Sequence, residues 1–419
     1  MRQYRMMETK AGKAAFGIFL FAMLLLARDT LVTSCILGFT KSQFLMLGLI
    51  CMFGLAFLMK NRRELKSILL DRRMAAVLVA AGLILLPMLI KGDWQMMYFS
   101  ILICLFFAIF LSFFTTVEET AKYYVMILTA MGCYSILATY VLKNVGQQMA
   151  VPVFENSNGW TFYNFGLAYV VTWESWNRNF GIFREPGVYQ FFVLLALYLN
   201  NYAVCWKKQW QLWLVNGLLA LTMVTTFAVG GFIEMGLFVL FLYFDKRYYR
   251  HKAGKLVGVG VLAAMAAVIV HILIQLKSPY FGQTVYYEFY DMFLRLTTDS
   301  DSLVDRLSAI FTNLRLFLQN PLFGDTIANV LHGTNHNTSS TLILYAVLGI
   351  LGGTLNVAAW AALTWKKERH LIGNLVLLVI LFMSFNTQNL VADVFFWLFP
   401  FMALIQRGLP LLKLPEKKV

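Results

Sequence analysis

Asp305–Gly353 reads DRLSAIFTNLRLFLQNPLFGDTIANVLHGTNHNTSSTLILYAVLGILGG, and the order of its parts decides how the rest of the chain is read. Leu303, Leu307, Ile310, Leu314, Phe317 and Leu318 recur at helical spacing. An amphipathic helix carrying Arg306 and Arg315 is therefore expected, ending at Asn320 because Pro321 disfavours helix in the residue before it. A short polar passage leads to His336-Asn337-Thr338-Ser339, where an apolar helix begins and continues past Gly353. Basic side chains, an imidazole and a helix start are collected in one stretch of a mostly apolar chain. That combination suits an anionic substrate at a membrane surface.

Outward from this stretch, the 419 residues are 60% hydrophobic and only 13% charged, with a mean hydropathy of +0.68. The apolar residues fall into blocks of roughly 16–22, the length that spans a bilayer as helix. The expected fold is all-α: a polytopic membrane protein in which residues 1–419 form a single integral membrane domain. About twelve transmembrane helices are expected, near 12–27, 43–59, 74–90, 95–114, 123–142, 187–205, 211–226, 228–244, 256–276, 339–363, 371–385 and 391–406. The first block has basic flanks but no small-residue cleavage site, so it reads as a retained span. A net charge of +14 raises the question of nucleic acid. The Lys and Arg sit mainly in short loops between spans, where they set orientation, so no nucleic-acid partner is expected. The five cysteines show neither metal-ligand spacing nor a disulfide frame and read as small hydrophobes.

Placing the N-terminus inside puts 60–73, Lys207-Lys208, 245–255, 366–369 and the C-terminal tail in the cytoplasm, where they gather most of the basic residues. Both termini are then cytoplasmic, and two long loops, 143–186 and 277–338, lie on the extracytoplasmic face. Loops of this length are usually functional or disordered, and their Trp, Tyr, Phe and Arg favour function. They follow the fifth and ninth spans, inequivalent places in two six-helix halves, which argues against a transporter built from repeats. Of the outer arginines, all except Arg28 fall in these loops: Arg178, Arg184, Arg295, Arg306 and Arg315.

Two motifs carry the chemistry. The first, RNFGIFREPG (Arg178–Gly187), precedes the sixth span, and Pro186 suits the first turn of its helix. The N-terminus of that helix faces outward with a partial positive charge and free N–H groups, able to hold an anion beside Arg178 and Arg184. The plainer reading is a basic flank snorkelling to lipid phosphates. The second motif, NHNTSS (Asn335–Ser340), precedes the tenth span with the same geometry, and Asn337, Thr338 and Ser339 all suit a cap. His336 sits within a turn of that helix start, where an imidazole could act as general base at neutral pH; a lone histidine is more often structural. His332 and His336 are four apart, but Gly333 between them reads as a turn, so no metal site is expected. Asp29 beside Arg28, Glu234, His271 and Asp393 are the ionisable groups inside or bordering the spans. Arg28 and Asp29 can pair at the interface, while Glu234 and Asp393 either pack helices or reach the outer arginines.

FREPG in the first motif, and RLxxI ahead of NPLFG followed by HN and LGILG in the second, resemble the bacterial O-antigen ligase and polysaccharide polymerase family. The resemblance covers about 178–190 and 303–353, with a compatible span pattern elsewhere; Asp325 stands where many members have a further Gly. It implies a glycosyltransferase of the bacterial cytoplasmic membrane that moves a glycan from an undecaprenyl-diphosphate carrier to an acceptor hydroxyl. Inversion at the anomeric centre is implied, with no metal, nucleotide sugar or other cofactor. By position, Arg178 and Arg306 look like the arginines that hold the diphosphate, with Arg315 the alternative to Arg306. His336 resembles the residue that activates the acceptor, with Asn337 beside it. Arg184 and Glu185 belong to the polymerase form of the first motif, and Glu185 is a second candidate base. The partners implied are the lipid-linked oligosaccharide and membrane lipid, with flippase and chain-length regulator proteins as further candidates. Trp160, Trp173 and Trp176 could stack on sugar rings, although Trp is common at membrane interfaces. Three readings compete: a polymerase joining repeat units, favoured by FREPG; a ligase acting on a lipid core or protein; and a non-enzymatic flippase or transporter, which would be expected to place its cations along a central cavity.

Overall fold

The computed structural model describes residues 9–62, 66, 71–143, 153–155, 159–171, 178–245, 301–332, 337–367 and 369–407. Among them the chain is mostly helical. In order run α1 (Lys10–Leu25), α2 (Phe39–Lys60), α3 (Arg72–Lys91), α4 (Met96–Ser112) and α5 (Val117–Leu137). After the three short strands β1 (Val153–Glu155), β2 (Thr161–Asn164) and β3 (Tyr169–Val171) come α6 (Pro186–Tyr202), α7 (Gln209–Thr225) and α8 (Val229–Phe244). The C-terminal part holds α9 (Asp301–Gln319), α10 (Ile327–His332), α11 (Ser340–Thr364), α12 (Leu371–Phe385) and α13 (Val394–Arg407).

Helices coincide with the predicted apolar segments to within a few residues, except 256–276, which lies outside the described residues. Phe39–Lys60, Arg73–Lys91, Val117–Leu142 and Ser340–Thr364 are long and apolar enough to cross a bilayer. Met96–Ser112, Val229–Phe244, Leu371–Phe385 and Val394–Arg407 are apolar but shorter.

Burial sorts the helices into inner and outer. A helix that is apolar on every side belongs in the interior, and α6 and α13 do: Val188–Asn201 and Val394–Ala403 are buried throughout. α13 packs on α4 and α11, and α6 on α5 and α7. Rings knit these layers together, with Trp360 of α11 stacked on Phe385 of α12 at 4.7 Å and Phe192 of α6 edge-on to Phe395 of α13. The outer helices α2, α3 and α12 leave Phe44, Met52, Leu78 and Ile372 exposed, as a lipid-facing surface would.

The first long loop departs from an all-α reading. β1, β2 and β3 form an antiparallel sheet in that order. Gly166 at φ 82°, whose N–H donates to Asn164 Oδ1 at 2.8 Å, closes the turn between β2 and β3. Phe162, Tyr169, Val170 and Val171 are buried, and the Tyr169 N–H donates to the Gly181 carbonyl. The sheet thereby anchors the RNFGIF segment.

A second departure is a break inside α11. Gly349 has φ 67° and ψ −166°, so two helical pieces meet there. In an unbroken helix the Ile350 N–H would donate to the Ala346 carbonyl. Here Ile350 donates to Pro321 and Ala346 accepts from Asp325, so the NPLFG segment replaces the missing bond with two of its own. Lys91 Nζ reaches the carbonyls of Asp325, at 2.8 Å, and of Val347. The fit is backbone against backbone: a Cβ on Gly349 would overlap the Leu322 carbonyl, and one on Gly324 would come within 2.5 Å of Ala346 O.

Polar contacts collect the helix termini at two opposite ends of the bundle. At one end, Asp245 pairs with Arg369 at 3.0 Å, and Arg407 with Glu118 at 2.6 Å. Arg73 pairs with Asp71 there and donates to the Ser112 carbonyl. The candidate site occupies the other end.

Candidate functional site

The RNFGIFREPG segment folds as an irregular chain held on both sides. The Leu31 N–H donates to the Ile182 carbonyl, and the Arg184 N–H to the Asp29 carbonyl. Asn179 bonds to Thr225 through both backbone and side chain. Gly181 has φ 57°, and a Cβ there would press within 2.8 Å of the Tyr189 ring. Pro186 occupies the first turn of α6 as expected, behind Glu185 at the N-cap.

Arg178 is buried. Its Nε donates to the Thr226 carbonyl at 3.2 Å and its Nη2 to the Phe227 carbonyl at 3.0 Å. Phe227 has φ 46°, the one non-glycine residue of positive φ among the described residues. Such backbone is costly and concentrates at functional sites. Arg184 lies between two carboxylates, 3.5 Å from Asp29 and 3.6 Å from Glu185. Both distances exceed a good hydrogen bond, so the guanidinium is flanked by carboxylates without being locked to either. Burial pushes the Asp29 carboxyl above its usual range, against the opposing pull of Arg184 and Arg28.

In the second motif, Asn337 exchanges amide bonds with Asn313 of α9 at 2.8 and 2.9 Å, and donates to the Val330 carbonyl. Cap residues were expected from Asn337, Thr338 or Ser339. Ser339 holds the cap position, but no side chain of that trio caps the helix. Asn386, at the end of α12, supplies the acceptor: its Oδ1 takes the Thr341 N–H at 3.0 Å and the Ser339 hydroxyl at 3.2 Å. Ser340 Oγ donates to the Gln388 carbonyl and accepts from Leu390 N–H.

Residues 386–393, between α12 and α13, thus hold the second motif, and they also touch the first. A Cβ on Gly187 would come within 2.5 Å of Gln388 Nε2, so the backbone at Gly187 lies against that side chain. Asn389 accepts from Arg28 Nη1 at 3.4 Å. Asp393 accepts from Arg28 N–H and from Phe395 and Phe396 N–H, capping α13. Arg28 is followed by Asp29, the partner of Arg184. Gly187, Ser339 and Ser340 therefore gather around one connection at one end of the bundle, with Arg184 joined to it through Asp29 and Arg28, while Asn337 is held by α9 and α10.

Other expected site residues stand apart or lie outside the description. Arg315 is exposed on α9. Arg306 lies in α9, but its side chain is outside the described set, as are that of His332 and the whole of His336, Trp173 and Trp176. Trp160 packs edge-on against Phe180 and partly joins the core. Glu234 is buried in α8 near Gln190 of α6, a helix-packing position. No group of His, Cys, Asp or Glu among the described residues is arranged to hold a metal ion. Asn386, Gln388 and Asn389 were missed in the sequence; the signal was the polar run NTQN between two apolar blocks. No protein-family model matches the chain, and no curated protein matches its sequence.

Proposed function

We propose that this protein is a polysaccharide polymerase of the bacterial cytoplasmic membrane, with about twelve crossings, both termini cytoplasmic, and the loops 143–186 and 277–338 on the outer face. It transfers a growing glycan from undecaprenyl diphosphate to a hydroxyl of another lipid-linked repeat unit. The acceptor oxygen bonds to the anomeric carbon, the bond from that carbon to the diphosphate oxygen breaks, and the hydroxyl proton passes to a base. Arg178, Arg184 and Arg306 bind the leaving diphosphate, whose charge grows as the bond breaks; preorganised donors stabilise such charge most effectively, and arginine remains charged throughout. His336 is the base, with Glu185 the second candidate. Asn337, pinned to α9, fixes the chain where His336 ends.

The observation that carries this reading is the meeting of the FREPG and NTSS segments on residues 386–393. They are distant in sequence, and both motifs were singled out for anion and acceptor chemistry. Arg306 is preferred over Arg315 because it lies seven residues, two helical turns, before Asn313, the residue that binds Asn337; Arg315 is two residues on, round the helix. The lipid-linked glycan is supplied by a flippase and its length set by a regulator. The test is polymer formation in cells: Arg306→Ala and His336→Ala are each expected to abolish chain growth at normal expression. Unaltered polymer length in both variants rejects the assignment.

A further inference from the structure

At the end of the bundle opposite the candidate site, α8 and α12 border a groove of about 1110 Å³. Its long walls are apolar, formed by Leu240 and Phe244 of α8 and by Ile372, Val376, Val379 and Met383 of α12. Ile372 to Met383 is eleven residues, about 16 Å of helix, close to half of a hydrocarbon core of about 30 Å. The groove therefore runs the depth of one leaflet.

One mouth of the groove is polar and predominantly basic. Among the described residues, Lys366, Arg369 and His370 line it with one acidic residue, Asp245. Arg369 pairs with Asp245 at 3.0 Å and stacks over the Tyr202 and Phe241 rings. Its side chain is only 9% exposed, yet Nε has no hydrogen-bond acceptor among the described residues. His370 is the N-cap of α12 without making a side-chain capping bond, so the positive end of that helix opens at the same mouth. An unfilled buried donor, surplus positive charge and a leaflet-deep apolar channel are the three parts of a phospholipid site. Basic pockets between membrane helices bind anionic headgroups for this reason.

We infer that the groove binds one anionic phospholipid, its phosphate among Lys366, Arg369 and His370 and an acyl chain between α8 and α12. This rests on the membrane-spanning reading alone and is independent of glycan transfer. The bound lipid covers apolar side chains that the packed pair α8 and α12 leave exposed, among them Phe244, Ile372 and Val379. A zwitterionic lipid fills the same channel but lacks the net charge that the mouth selects.

The full-length protein, purified in detergent, is mixed with phosphatidylglycerol or phosphatidylcholine, and retained lipid is counted by native mass spectrometry. Wild type is expected to keep about one phosphatidylglycerol per chain, at least about fivefold above phosphatidylcholine, the ratio one surface charge supplies. Val376→Trp, at a half-exposed position that tolerates bulk, fills the channel and removes retention; Lys366→Ala lowers it about fivefold. Leu78→Trp, on the exposed face of α3, leaves it unchanged. Equal retention of both lipids by wild type, or the same retention by Val376→Trp and Leu78→Trp, overturns the proposal. If Val376→Trp fails to fold, undiminished phosphatidylglycerol retention by Lys366→Ala overturns the proposal.

Discussion

Arg178 gives two donors to the carbonyls of a strained turn, and that fixes its guanidinium at the rim of the bundle. Lysine carries the same charge but cannot reproduce a planar two-donor grip. Arg178→Lys is therefore expected to slow polymer formation at least about a hundredfold, the usual effect of losing one preorganised donor to a developing anion, with protein levels unchanged in membranes. Asn386 matters in another way, since it caps a helix to which it does not belong. Asn386→Ala should cost about 1 kcal/mol, as loss of a cap does, read as a lower unfolding temperature in detergent. Thr338→Ala should be close to neutral, because the Thr338 hydroxyl makes no hydrogen bond among the described residues. The helix start at Ser340 was legible from the NTSS composition. The residue that caps it was not, because capping rules see only neighbours in sequence and Asn386 arrives through tertiary packing. Asp393 was equally ambiguous on paper: a carboxylate beside an apolar block does not reveal that three backbone N–H groups satisfy it.

The break in α11 is the element on which the NPLFG segment depends. LILYAVLGILGG reads as one apolar helix, since a single glycine only weakens a helical pattern. Its periodicity hides the positive φ at Gly349. The partner that makes the break stable, Pro321–Asp325, was visible as the stop of α9 and as part of the NPLFG motif, but not as backbone packed into α11. Lys91 reads as an ordinary basic flank, but its ammonium satisfies two of the carbonyls at this junction. Lys91→Met should destabilise the protein by about 1.5–3 kcal/mol, the range for a hydrogen bond to a charged group, measured by thermal unfolding in detergent. Gly349→Ala should be worse, since the backbone of Leu322 occupies the place its Cβ would take. A Lys91→Met variant as stable as wild type would mean that the junction holds without the ammonium. By contrast, α6 was legible from Pro186 and the apolar run behind it, because both signals are local. The small sheet in the first long loop was not, since its strands are only three or four residues long.

For the molecule as a whole, hydropathy foretold the helical, membrane-type architecture, and the two polar ends follow from alternating helix directions. The assembly of the candidate site was not foretold: it depends on residues 386–393, which connect two apolar helices and carry no charge before Asp393. The proposed orientation places Arg315 outside and Lys208 in the cytoplasm. Cysteine placed at Arg315 should react with an impermeant thiol reagent in intact cells, and cysteine at Lys208 only after lysis; the reverse pattern would invert the topology. The most direct measurement is reconstitution of the purified protein in liposomes with its undecaprenyl-diphosphate-linked repeat unit. The account predicts a ladder of longer lipid-linked glycans that persists in chelator and disappears in His336→Ala. An absent ladder, or one that survives that substitution, contradicts it.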